Sequence, residues 1–352
     1  MVDVVKRLQK HMREKKIDYS ILYNFHAQNI NENFIYLSKF HGVGVLVVPK
    51  SGAAILVVPR MEQQSAEKAF SKVVARDDIF AFVSGKLRSG MRVALDYSSV
   101  TLKGSSLLKK KIKAKLSFVD ISDYLSSLRE VKSAEEIAIM KKACKITEEI
   151  YYETFSHFDE FERESDVAAF MTALANSQGL QLSFKPIVAS GVHSSEAHFE
   201  VSDCKLKKGF CVIDFGIRYH NYCSDMTRTV FIGKPKKADL LLYEKVLKVQ
   251  LECLDMVKPG VRCMDIDLHA RKILGSDFCH GLGHGVGVGV HEGPSVSPKS
   301  KHKLVPGNVI TIEPGVYLKG KYGIRIEDDV LVTAKGKELL TKMPKHLLVV
   351  EK

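Results

Sequence analysis

Five residues carry the chemistry this sequence offers: Asp214, Asp225, His284, Glu313 and Glu327. The acids fall in two pairs, Asp214/Asp225 in VIDFGIRYHNYCSDMT and Glu313/Glu327 in TIEPGVYLKGKYGIRIEDD. The histidine lies between them in the glycine-rich run CHGLGHGVGVGVHEGP. Each pair reads as the two arms of a hairpin. Asp214 opposes Asp225 if the turn centres on Tyr219-His220, and Glu313 opposes Glu327 if it centres on Gly320. Tyr-His is a poor tight-turn pair, so the first loop is expected to be longer or bulged. Like charges directly opposed across strands are destabilising, and adjacent carboxylates resist joint ionisation. One such pair on a strand usually just faces solvent. Two pairs, together with GHG, EPG and RIED, call for a cation. Carboxylate oxygens with one imidazole suit Mn²⁺, Co²⁺ or Fe²⁺, with Zn²⁺ also admissible. Two ions sharing carboxylates lower the pKa of a water and polarise a carbonyl, which is equipment for hydrolysis.

Other motif readings fail on counting. Gly281, Gly283, Gly285, Gly287 and Gly289 alternate, but no register gives the G-x-G-x-x-G of a dinucleotide site. His291-Glu292 opens a zincin-like HE, yet position 295 is serine, so HExxH is not completed. Alternating glycines in a strand instead signal close backbone approach beside a crowded site. There is no GxSxG.

The elements that must position these residues read as follows. An amphipathic helix over about Val4–Glu14 leads into the strand IDYSILYN. GVGVLVVP and AAILVVP follow as strands joined at Lys50-Ser51-Gly52. RVALDY and KLSFVDI flank a helix near Val100–Lys111. Residues 1–125 are therefore an α/β domain without a chemical motif; His26 and His41 read as structural or surface residues. A boundary near Ser126–Lys132 precedes a capping box, Ser133 to Glu136, which opens a long helix through Tyr152. A second helix, Ser165–Ser177, ends at Gly179. A third, Ala238–Val257, stops at Pro259-Gly260. Residues 126–352 thus form an α+β domain whose helices back a curved antiparallel sheet.

Composition narrows the class. The chain has 352 residues, 45% hydrophobic and 27% charged, as expected of a globular protein of two domains. No apolar run approaches the ~18 residues that span a bilayer. The N-terminal MVDVVKRLQKHMREKK has the mixed charge of a surface helix, not of a signal peptide. A cytoplasmic protein without membrane contact is expected. Seven cysteines form no CxxC motif, which predicts free, mostly buried thiols. The net charge is +12, but the lysine clusters at 109–111, 205–208 and 234–237 are short, scattered and not interleaved with aromatics. They read as solvated faces, and no nucleic-acid partner is expected.

Several stretches together resemble the Xaa-Pro aminopeptidase and prolidase branch of the pita-bread metallopeptidases: LSFKPIVASG, VIDFG, SDMTRTVFIG, GLGHGVGVGVHEGP, TIEPGVY and GIRIEDDVLVT. LREVKSAEEIAIMKKA resembles that family's domain-junction helix, and the N-terminal domain resembles the creatinase type. The resemblance implies a C-terminal pita-bread catalytic domain, two divalent ions (most often Mn²⁺ or Co²⁺) and a homodimer. It also implies peptide substrates with proline in second position. Asp214 would be a terminal ligand of one ion, His284 and Glu313 ligands of the other, and Asp225 and Glu327 bridges. Glu313 would also shuttle the proton. His198 and His291 match histidines that steady substrate and tetrahedral intermediate. Arg325 would orient the bridging carboxylate or the substrate, and Phe184 and Ile187 match an apolar wall near the substrate's N-terminal residue.

The chain departs from the family pattern in two places. Glu196-Ala197 replaces a common proline before His198. Ser295 occupies the position where prolidases commonly carry an arginine that grips a dipeptide's carboxylate. Lys299 or Lys301 would be substitutes, and the loss tilts the expectation towards longer Xaa-Pro peptides. The rivals are a methionine aminopeptidase, which usually lacks such an N-terminal domain, and a creatinase-like hydrolase or non-catalytic binding protein, for which five intact ligands are unexpected.

Overall fold

The computed structural model describes residues 2–25, 31–112 and 114–351, and His26 lies outside them. The chain divides into two compact units, Met1–Arg129 and Glu130–Lys352.

The N-terminal unit is built on a six-stranded mixed sheet. Its order is Val73–Ala75, Ile55–Val58, Gly44–Pro49, Tyr19–Asn24, Arg92–Leu95, Ser117–Asp120. Gly44–Pro49 pairs antiparallel with both Tyr19–Asn24 and Ile55–Val58, and the hairpin between Gly44–Pro49 and Ile55–Val58 turns at Gly52, whose φ of +93° suits glycine. The other pairings are parallel, and the helix Leu102–Lys111 supplies the crossover between Arg92–Leu95 and Ser117–Asp120. Ile21, Val45, Val47, Val57, Val93 and Leu95 form its core with Leu108 and Ile112. The α/β expectation holds here.

The C-terminal unit repeats one arrangement, a helix pair against antiparallel strands. Ser133 caps the first helix, Ala134–Ser156, through both bonds of the predicted capping box. With Glu164–Ser177 it buries Ile146, Ile150 and Met171 against Val188, Ile213 and Phe215. Those last three sit on the strands Ile187–Ser190 and Gly209–Phe215 of a four-stranded sheet. The third and fourth helices, Lys237–Met256 and Cys263–Leu274, bury Val246, Val249, Ile266 and Ala270 against Ile310, Ile312 and Val330 of a five-stranded sheet. Sequence periodicity did not single out the fourth helix. Asp267 occupies its buried face, where a hydrophobic residue would have announced it, and is satisfied by Arg271 at 3.0 Å and the Leu282 amide at 3.0 Å. All seven cysteines are free, and five are buried. Among the described residues no helix is long and apolar enough to cross a membrane.

Candidate metal centre and substrate cavity

Strand Gly209–Phe215 lies between Ile187–Ser190 and Met226–Ile232, so Ile187, Asp214 and Thr227 stand in one row across the sheet. The expected opposition of Asp214 and Asp225 is not what forms. Every pair from Phe215 with Met226 to Tyr219 with Tyr222 centres on the His220-Asn221 link. The reason lies in the turn: His220 and Asn221 both take left-handed φ, 44° and 76°, as a two-residue type I′ turn requires. Moving the turn centre by one residue moves Asp214's partner by two, from Asp225 to Thr227. Asp225 then sits two residues along and on the same face, because strand side chains alternate with period two. The pair still converges, diagonally. Beneath it, the buried Tyr151 hydroxyl reaches the carbonyls of Ile213 at 2.9 Å and Met226 at 2.6 Å, tying together the strands that carry both acids.

The second pair follows the expected register. Ile312 opposes Asp328 on one side and Gly315 opposes Arg325 on the other, all centred on Gly320. Glu313 and Glu327 fall between the two ladders, and their amides do not bond to each other. The Glu313 amide donates to the Leu282 carbonyl at 2.9 Å, and the Glu327 amide to that of Thr227 at 3.2 Å.

His284 sits in the short strand Gly283–Gly285, and its neighbours explain the alternating glycines. A Cβ on Gly283 would lie 2.1 Å from the Thr311 carbonyl oxygen, and one on Gly285 2.1 Å from that of Gly293. Only bare backbone brings the imidazole this close. His284 Nδ1 lies 3.2 Å from the Gly285 carbonyl, which fixes the proton there and leaves Nε2 as the ligand atom. Asp225, His284 and Glu327 each bring a ligand atom within 4.8 Å of the others. Glu313 stands 3.3 Å from His284 Nε2, and Asp225 3.7 Å from it. Asp214 is held from behind by Arg325 at 2.6 Å, while its other oxygen is buried without a partner.

Electrostatics fit a cation. Burial first, then the facing carboxylates, push Asp225 and Glu327 well above the usual carboxylate range. Burial also raises Asp214, although Arg325 pulls the other way. For Glu313 burial is outweighed by His284, which brings it down to about 2. Burial likewise opposes protonation of His284, but Glu313 raises it overall. Removed from water, these acids are under-compensated by Arg325 and His284 alone, and an orphaned oxygen on Asp214 is left facing the cluster. A divalent ion satisfies both deficits.

All ten residues singled out from sequence line one cavity of about 420 Å³: the five ligand candidates with His198, His291, Arg325, Phe184 and Ile187. His198 and His291 are exposed, and the His291 ring packs against His284 with centroids 4.3 Å apart. Burial, and then His284, lower the His291 pKa. Glu292 is not a catalytic glutamate of the HExxH kind, because it pairs with Lys132 at 2.7 Å in a buried contact and anchors the loop behind His291. Ser295 is exposed, bonds Ser297 at 3.0 Å and does not line the cavity.

Sequence reasoning passed over Tyr317 and Asp329, and gave His280 no more than a supporting place behind the ligands. Tyr317 accepts a bond from Arg325 at 2.9 Å and lies 2.9 Å from His280 Nε2, and His280 also lines the cavity. Asp329 accepts the Asp225 amide at 3.0 Å and the Cys144 thiol at 3.3 Å. The run RIEDD hinted at Asp329, but nothing hinted that it faces inward. Of the other histidines, His193 pairs with Glu164 at 2.9 Å and His269 with Glu252 at 2.9 Å, away from the cavity.

The model of metallopeptidase family M24 matches residues 138–334, a span that takes in all ten residues. The chain belongs to family M24. Residues 5–131 match the creatinase/prolidase N-terminal domain. The chain is 34% identical to a Xaa-Pro dipeptidase of Pyrococcus furiosus, covering 99% of this chain and all of the relative. Among solved structures, a prolidase from Pyrococcus horikoshii superposes with a TM-score of 0.90 at 33% identity, covering 98% of this chain and 100% of the other. An X-Pro aminopeptidase from Thermotoga maritima gives 0.85 at 31% identity, covering 96% and 99%. As a member of a metallopeptidase family with creatinase and pita-bread domains, the chain has the expected α+β fold and binds divalent metal.

Proposed function

We propose that this chain is a proline-specific metallo-exopeptidase, hydrolysing the bond between an N-terminal residue and the proline that follows. The observation that carries the reading is the convergence of all ten residues on one cavity, in a chain matched end to end by a Xaa-Pro dipeptidase. Asp225 and Glu327 would be shared by two ions, Asp214 would complete one, and His284 with Glu313 the other. Mn²⁺ or Co²⁺ suits this donor set best. When bound, such ions activate a water and polarise the scissile carbonyl.

The chain's own residues do the rest. Arg325 fixes one oxygen of Asp214, leaving the other for the ion. Glu313 takes a proton on a carboxylate oxygen from the attacking water and passes it to the proline nitrogen. That transfer matters because a departing secondary amine must be protonated. His291 and His198, at the exposed rim, donate hydrogen bonds to the substrate carbonyl. Phe184 and Ile187 exclude water on the apolar side. The chain would act as a cytoplasmic homodimer, a state that sedimentation of the purified protein checks.

The test is hydrolysis by metal-stripped protein reloaded with Mn²⁺ or Co²⁺, offered Xaa-Pro, Xaa-Pro-Pro and Xaa-Ala peptides. Cleavage of the proline peptides alone supports the reading; equal cleavage of Xaa-Ala refutes it. Methionine release from Met-Ala in preference to Met-Pro would favour the methionine aminopeptidase alternative.

A further inference from the structure

A free dipeptide carries a carboxylate one residue from the scissile bond, and here it must enter a cavity floored by four acids. A cation at the rim is needed to receive it, since a carboxylate is recognised chiefly through charge-assisted bonds. Among the described residues lining the cavity, two side chains are permanent cations, Arg325 and Lys185. Arg325 is buried and committed to Asp214, Thr227, Ala197 and Tyr317. His198 and His291 are assigned to the substrate carbonyl, and both ring nitrogens of His280 are taken, by the Gly281 carbonyl at 2.8 Å and the Tyr317 hydroxyl at 2.9 Å. Ser295, Lys299 and Lys301 do not line the cavity. Lys185 does: it is exposed, follows Phe184, and has no hydrogen bond or ion pair with any described residue. An unpaired ammonium on a flexible four-carbon stem, beside an acidic cavity, is free to meet an incoming anion.

We propose that Lys185 is the residue that recognises the C-terminal carboxylate of Xaa-Pro dipeptides, replacing the cation missing at Ser295. The inference rests on the proposed Xaa-Pro peptidase activity and adds a specificity-determining side chain to it. Lys185 touches the substrate's end and takes no part in moving protons, so its loss acts on KM and leaves kcat near its original value.

The experiment compares metal-loaded wild-type, K185M and K185R proteins on an Xaa-Pro dipeptide and on the same compound with a C-terminal amide. K185M is expected to raise KM for the free acid roughly ten- to hundredfold, the loss of one bond between charged groups. KM for the amide should hardly move, and K185R should keep the preference for the acid. Equal KM changes for acid and amide in K185M, or no change in either, overturn the inference while the peptidase reading stands. The acid-to-amide preference moving instead with K299M or K301M overturns it as well. Wild-type protein that cleaves neither compound refutes the peptidase reading and this inference with it.

Discussion

Replacing Arg325 with methionine tests how the acids of this site are held. The guanidinium is 3% exposed and donates four bonds: to Asp214 at 2.6 Å, Tyr317 at 2.9 Å, and Thr227 and Ala197 at 3.0 Å each. R325M removes all four and leaves Asp214 buried with both oxygens unpaired, one of them already so. Breaking a buried ion pair from one side costs about 3–5 kcal/mol. Removing both charges costs less, because no orphan ion remains. The metal-free double variant R325M/D214N should therefore be more stable than R325M alone. The pH dependence has a definite sign. Burial raises the Asp214 pKa even with Arg325 present, and without Arg325 it rises further. An acid whose folded pKa lies above its unfolded value imposes no penalty below the unfolded value, and the full penalty only above the folded one. The R325M loss should thus be small near pH 4 and grow towards pH 8, as read from urea midpoints of chelator-treated protein. A double variant no more stable than R325M, or a loss that does not vary with pH, would refute this account of the pair.

Four further outcomes follow from the same geometry. Glu313→Gln should lower kcat by about 10²–10⁴-fold in a protein that still folds, the range for a lost general acid–base; retained activity would remove Glu313 from the proton path. Asp225 and Glu327 also have raised pKa values, so metal-free wild-type protein should lose stability as pH rises above the ordinary carboxylate range, and Mn²⁺ should reverse that trend in a thermal melt. Tyr151→Phe should cost about 1–2 kcal/mol and weaken metal retention during dialysis, because the hydroxyl braces the strands bearing Asp214 and Asp225. Gly283→Ala should cost about 1–3 kcal/mol or more from the clash with the Thr311 carbonyl, checked by expression and melting of the variant.

The site was legible in the sequence because its acids obey hairpin arithmetic and its histidine sits among glycines that tolerate no side chain. Glu313 and Glu327 were placed correctly from the Gly320 turn alone. Asp214 and Asp225 were placed on the right face with the wrong partners, since the left-handed capacity of Asn221 outweighed the symmetry suggested by Tyr219-His220. The supporting shell was harder to see. Tyr151 lies in a helix far from the acids in sequence, and its role depends on which way one hydroxyl points. The helix Cys263–Leu274 was hidden because Asp267, buried and paired with Arg271, breaks the apolar stripe. Polar residues satisfied only by tertiary partners leave no periodic signal.

The hairpin Gly315–Arg325 has a consequence for how this chain can vary. Its tip, Lys319-Gly320-Lys321, is exposed, and a Cβ on Gly320 would meet nothing within 4 Å. Residue type there is nearly unconstrained apart from the positive φ of Gly320. Its length is another matter. The ladders on both sides of Glu313 and Glu327 share one register. A single residue added to or deleted from either arm would slip that register and turn one glutamate to the opposite face. The tip therefore behaves as a ruler: free in its lettering, fixed in its count.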